Sequence, residues 1–158
     1  MFGKKKSFFK KILAVVDNSD ISIHAAEFAV NYADTQDADL YVVTVVDTDT
    51  INRLMKIKIF IEEEKEEFEL DLERTAKKNL NYIKEMAESK KVDVKTFLLK
   101  GNIHKMVLRK AEDIDADLIV LGGWKLSIIK RDLLVRERQL ILDEAKCCVI
   151  IVKEEVSL

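Results

Sequence analysis

The chain has no proline and only four glycines among its 158 residues, so breaks between elements must be made by asparagine, aspartate and those few glycines. It has only two cysteines, Cys147 and Cys148, adjacent inside an apolar run. That excludes a disulfide framework and points to a reducing, cytoplasmic setting. No apolar run reaches the roughly 18 residues needed to span a bilayer, so no membrane insertion is expected. The opening MFGKKKSFFKK is basic, but Phe8 and Phe9 are the only apolar residues between its first lysines and the next, too little for a secretory leader. The charge balance is also small: a formal net charge of −2 provides no global field to recruit nucleic acid.

What the chain does have is a globular composition, with 48% apolar and 35% charged residues. The length suits one domain able to bury roughly two thirds of its unfolded surface. The sequence divides into a basic N-terminal extension, residues 1–10, and one α/β domain, residues 11–153.

Five apolar runs alternate with amphipathic stretches. KILAVVD (11–17) ends at Asp17, with Ser19 or Asp20 placed to cap a helix. In that helix Ile21, Ala25, Phe28, Ala29 and Tyr32 fall on one stripe. LYVVTVV (40–46), VKTFLL (94–99), LIVLGG (118–123) and CCVIIV (147–152) read as the further strands, and a helix begins near Asn102. The alternation predicts a single doubly wound, five-stranded parallel sheet with right-handed crossovers and helices on both faces.

Between the second and third strands, residues 62–74 carry eight acids and two bases. Acids early in a helix favour its dipole by about 0.3–1 kcal/mol each at low salt. Phe68, Leu72, Ala76, Leu80, Ile83 and Ala87 supply the buried stripe, so a solvated acidic face on a packed helix is the plain reading. Just ahead, Ile57, Ile59 and Ile61 alternate as in a strand, and this stretch could cover the sheet edge or meet a partner.

Ligands of such sheets bind beyond the carboxyl ends of the strands, where strand order reverses. Asp17, the Val45–Asp47 segment, the Gly101–His104 segment and the residues from Gly122 onward are the candidates there. Asp17 has two readings, as acceptor for a ribose or base and as part of the cap of the next helix.

KILAVVDNSDISIHAAEFA, LYVVTVVD, KGNIHKMVLRKAEDIDADLIVLGG and the final apolar strand together resemble the universal stress protein family, from Lys11 to about Val152. The resemblance implies an adenine nucleotide alpha hydrolase-like fold and a homodimer formed through the last strand. It also implies base and ribose contacts at Val16, Asp17 and Val45. Nucleotide-binding members carry Gly-x-x-Gly, nine residues, then Gly-Ser after strand 4. An ungapped count from Gly122 puts Lys125 at the second glycine, Val135 at the third and Arg136 at the serine. Val135 is β-branched and disfavours a positive-φ turn, so no glycine cradle for a triphosphate is expected.

The residual site is then Val16, Asp17, Val45, Gly122, Gly123, Lys125 and Arg136. Lys125, Lys130, Arg131, Arg136 and Arg138 form a basic stretch that either solvates a helix or holds phosphate by charge. Trp124 anchors the loop or stacks on a base. His24 and His104 lack an acid pair at ligand spacing, so no metal site is expected. The cysteines, on opposite faces of a strand, read as buried inert thiols. The resulting expectation is a non-enzymatic regulatory or interaction domain without a cofactor, pairing with itself and with a protein partner. The alternative is an ATP-binding member acting as a nucleotide-dependent switch or weak ATPase. A third reading, a regulatory partner of a membrane transporter, would use the basic N-terminus or the acidic segment.

Overall fold

The computed structural model describes residues 7–58, 61–123 and 133–153. Its strands are β1 (Lys11–Val16), β2 (Asp39–Asp47), β3 (Val94–Gly101), β4 (Leu118–Gly122) and β5 (Cys148–Val152). Its helices are α1 (Asp20–Gln36), α2 (Thr48–Lys56), α3 (Glu62–Ser89), α4 (Ile103–Asp113) and α5 (Leu133–Glu144). The five strands form one parallel sheet in the order β3-β2-β1-β4-β5. Strand order therefore reverses at β1 and β4, and their carboxyl ends flank the switch point.

The continuous apolar runs are explained by burial on both faces. Ile12, Ala14 and Val16 of β1 join a core with α1 and α3, whereas Leu13 and Val15 join one with α4 and α5. Alternate residues thus bury themselves in different cores, and every position must be apolar. Each fully buried Ile, Leu or Val contributes about 1.5–3 kcal/mol relative to exposure.

Local capping sets the helix starts. Ser19 caps α1, accepting from the Ser22 amide, and Asn102 caps α4, accepting from the Lys105 amide. At the start of β1, the Asp117 carboxylate accepts from the amides of Lys10 and Lys11, and Phe9 packs against the α1–α3 core.

Three apolar readings shift. The buried stripe of α1 is Ser22, Ala25, Ala26, Ala29, Val30 and Ala33, while Phe28 is exposed and stacks on Tyr32. Small residues let the helix approach the sheet, which moves the bulky ring outward. In α3 the buried stripe is Ala76, Leu80, Ile83 and Ala87, and Phe68 is exposed. Asn79 donates to Asn18 in the loop after β1, so the first turns of α3 lie beyond the carboxyl edge. The third shift concerns the alternating isoleucines. Ile57 ends α2 and Ile61 begins α3, both exposed, whereas Ile59 lies outside the described residues.

Candidate functional site

The switch point is occupied by the chain's own side chain. Arg138, on the second turn of α5, reaches back to Asp17 just after β1. Its Nε and Nη2 both donate to Asp17 Oδ2, at 3.0 and 2.6 Å. Nη2 also donates to Ser19 Oγ at 2.9 Å, and Nη1 donates to the Gly123 carbonyl after β4 at 2.8 Å. The two side chains are 8% and 9% exposed, so the pair is desolvated on both sides.

The Asp17 carboxylate is used up by these contacts. Oδ1 accepts from the Ser19 amide and hydroxyl while Oδ2 takes the two guanidinium donors. A carboxylate offers about four acceptor positions, and four donors fill them. A ribose or base hydroxyl could bind Asp17 only by displacing one of them.

The neighbouring residue acts the same way on α4. Glu137 Oε2 accepts from the His104 amide at 2.7 Å and lies 2.6 Å from His104 Nδ1. Glu137 is 4% exposed and the His104 side chain is 13% exposed. The free amides of a helix N-terminus attract anions, and here a carboxylate of the same chain takes that place. One dipeptide, Glu137–Arg138, therefore ties α5 both to the start of α4 and to the ends of β1 and β4.

The Gly pair has a packing explanation. A Cβ on Gly122 would sit 3.0 Å from the Ile21 carbonyl carbon and the Ser22 nitrogen, so β4 meets α1 backbone to backbone. A Cβ on Gly123 would lie 3.1 Å from Lys153 Cα and the Val152 oxygen. Gly123 also donates its amide to that Val152 oxygen. Both glycines admit close approach of protein backbone, as a phosphate cradle would admit a ligand.

The residues singled out from sequence are placed unevenly. Asp17, Gly122 and Gly123 gather at the switch point. Val16 packs into the α1–α3 core and Val45 against the α4–α5 core, on opposite faces of the sheet. Arg136 is exposed on α5, facing away from Asp17 contacts that Arg138 makes instead. Val135 is half-buried on the first turn of α5. Lys125, Trp124, Lys130 and Arg131 lie outside the described residues.

Glu137 and the role of Arg138 were missed, and a signal for both was present. Glu137, Arg138 and Ile141 stand at spacings of three and four, an inward stripe of α5 with two charges inside it. Buried charges at such positions require partners, and Asp17 and His104 are the partners.

Among the described residues, no group of three or more His, Cys, Asp or Glu could hold a metal ion. Cys148 is exposed, correcting the expectation that both thiols are buried. Cys147 is half-buried, and burial, then the neighbouring Cys148 and Asp117, pushes its thiol above the ordinary range. No described helix is long and apolar enough to cross a membrane.

The universal stress protein family model matches residues 8–153. The chain is 31% identical over 149 residues to universal stress protein MJ0531 of Methanocaldococcus jannaschii, spanning 94% of this chain and 85% of that protein. Among solved structures, the universal stress protein UspA of Lactobacillus plantarum superposes with a TM-score of 0.74 at 23% identity, covering 90% of this chain and 97% of that one. A universal stress protein solved in complex with cAMP gives a TM-score of 0.66 at 20% identity, covering 92% and 97%.

Proposed function

The chain belongs to the universal stress protein family, and from that premise we propose that it is a non-enzymatic regulatory or interaction module of the cytoplasm. In this reading it works without a nucleotide cofactor, as a homodimer paired through β5, and its output is contact with a protein partner. The observation that carries the proposal is the Arg138 side chain bound to Asp17, Ser19 and Gly123 at the switch point. Three further features support it. The positions counted as the second glycine, third glycine and serine of the family motif hold Lys125, Val135 and Arg136. The remaining Gly pair is accounted for by backbone packing. The His104 amide at the start of α4 already donates to Glu137.

Titration calorimetry with Mg-ATP, and separately with cAMP because a relative of the same fold was solved with it, tests the proposal. The expected result is no binding tighter than about 100 μM, or about −5.5 kcal/mol. A micromolar isotherm that disappears in Asp17→Asn would overturn it and support the nucleotide-dependent switch or weak ATPase instead.

A further inference from the structure

At the amino end of the sheet, far from Arg138, the face covered by α4 and α5 holds a cavity of about 380 Å³. Alanines create it where three segments meet: Ala111 in the last turns of α4, Ala116 before β4 and Ala145 before β5. The cavity is open to solvent, and the three minimal side chains leave room between the segments that border it. Its volume lies within the range of about 300–1,000 Å³ typical of small-molecule sites.

The lining has two chemistries. Leu108, half-buried, and the thiol of Cys147 give an apolar wall. Burial favours the neutral thiol, which behaves as a small hydrophobe. At the rim stand Glu112, Asp115 and Glu144 against a single ammonium, Lys146. Lys146 Nζ is engaged by Glu112 at 2.9 Å. Asp115 and Glu144 have no ion-pair partner among the described residues, so their charges are uncompensated at the mouth.

We infer that this cavity binds a small amphipathic cation, with an apolar body about the size of one aromatic ring against Leu108 and Cys147 and an ammonium group at Asp115 and Glu144. A carboxylate ligand of the same shape meets two like charges there, whereas an ammonium neutralises them. The rim is exposed, so its preference is screened by salt while the apolar contact is not. This site is independent of the reading of the carboxyl end and stands or falls separately from it.

The test is a nitrogen-15 NMR titration of the whole chain with 2-phenylethylammonium, and in parallel with its anionic counterpart 3-phenylpropanoate. At low salt the ammonium probe should shift amides of residues 108–119 and 144–149 and bind at least about tenfold more tightly than the carboxylate, with the gap narrowing at high salt. Glu144→Lys combined with Asp115→Asn should abolish or reverse that preference. Ala145→Leu should intrude on the cavity and weaken binding of both probes. Shifts that are absent or scattered over the surface, equal affinity for the two probes, or binding unchanged in Ala145→Leu would each overturn the inference. Should Ala145→Leu give no folded spectrum, the rim variant decides, because both its positions are exposed.

Discussion

Arg138 and Asp17 lie 121 residues apart in the chain, and the Arg138 Nη2 to Asp17 Oδ2 distance is 2.6 Å. The contact closes the sheet across its switch point and fastens α5 to the loop after β1. Cutting one side of a buried pair is costly because the other charge remains desolvated and unpaired. Arg138→Met should therefore destabilise the protein by about 3–5 kcal/mol in urea unfolding. Adding Asp17→Asn to that variant should recover part of the loss, since no bare charge then remains. Arg138→Lys should not restore wild-type stability, because one ammonium cannot replace donors that reach Asp17, Ser19 and Gly123 together. A loss below about 1 kcal/mol in Arg138→Met would show that the pair is solvated and worth little.

The sheet was legible in the sequence because burial on both faces leaves a simple signature: LIVL has no polar position, and LYVVTVV interrupts its apolar run only with the β-branched Thr44 and the ring of Tyr41. The start of α4 was legible for a similar reason, with Asn102 standing just before a regular apolar stripe. The centre of the site was not. Asp17 and Arg138 each have an ordinary local reading, a cap-like aspartate and a solvated helix arginine, and only the fold brings them together. Counting along the motif directed attention to Arg136, whereas the helical period selects Arg138, two residues on and about 200° around the helix. Phe28 misled for a different reason: hydrophobicity alone does not say which of two adjacent stripes is narrow enough to approach a sheet.

The second prediction concerns Glu137. Its carboxylate serves both the amide and the ring of His104, and its removal leaves a donor at the start of α4 without its partner. Glu137→Ala should cost about 1–3 kcal/mol. The His104 amide should exchange with solvent faster than in the wild type, as hydrogen-exchange NMR would reveal. Unchanged protection there would mean that α4 does not depend on α5 for its first turn.

Gly122 allows the two uses of a glycine to be separated. With backbone atoms 3.0 Å from the position of its missing Cβ, Gly122→Ala must push β4 from α1. Overpacking of this kind costs about 1–3 kcal/mol, and a thermal melt should show it with no nucleotide present. A glycine retained for phosphate contact would give the opposite result, normal stability with altered ligand binding.

Cys147 gives a pH dependence with a definite sign. Burial first, then Cys148 and Asp117, raises its thiol above the unfolded value, so the folded chain holds that proton to higher pH. This contribution to stability is fully present below the unfolded thiol range and is lost as pH rises through the folded value. In a Cys148→Ser background, maleimide labelling of Cys147 should be slower in native than in urea-unfolded protein across the ordinary thiol range, and should accelerate as pH rises beyond it. Equal native and unfolded rates at every pH would contradict the half-buried placement.

The last prediction is the dimer. Among the described residues β5 ends the sheet and pairs with β4 alone, which leaves an outer edge beside Val149, Ile150, Ile151 and Val152, all half-buried. An apolar edge of this kind invites pairing. A second copy related by a two-fold axis supplies the same edge, so one isologous contact satisfies both β5 strands. Ile150 packs against the α1–α3 core and Ile151 against the α4–α5 core, so a charge at either position disfavours the contact on a different face of the sheet. Light scattering at micromolar concentration should report a dimer for the wild type and a monomer for Ile150→Asp and Ile151→Asp, with circular dichroism used to retain only folded variants. Phe8→Asp changes an apolar residue that is 82% exposed and lies outside β5, and it should leave the dimer intact. A wild-type monomer, or a dimer lost only in Phe8→Asp, would move the interface away from β5.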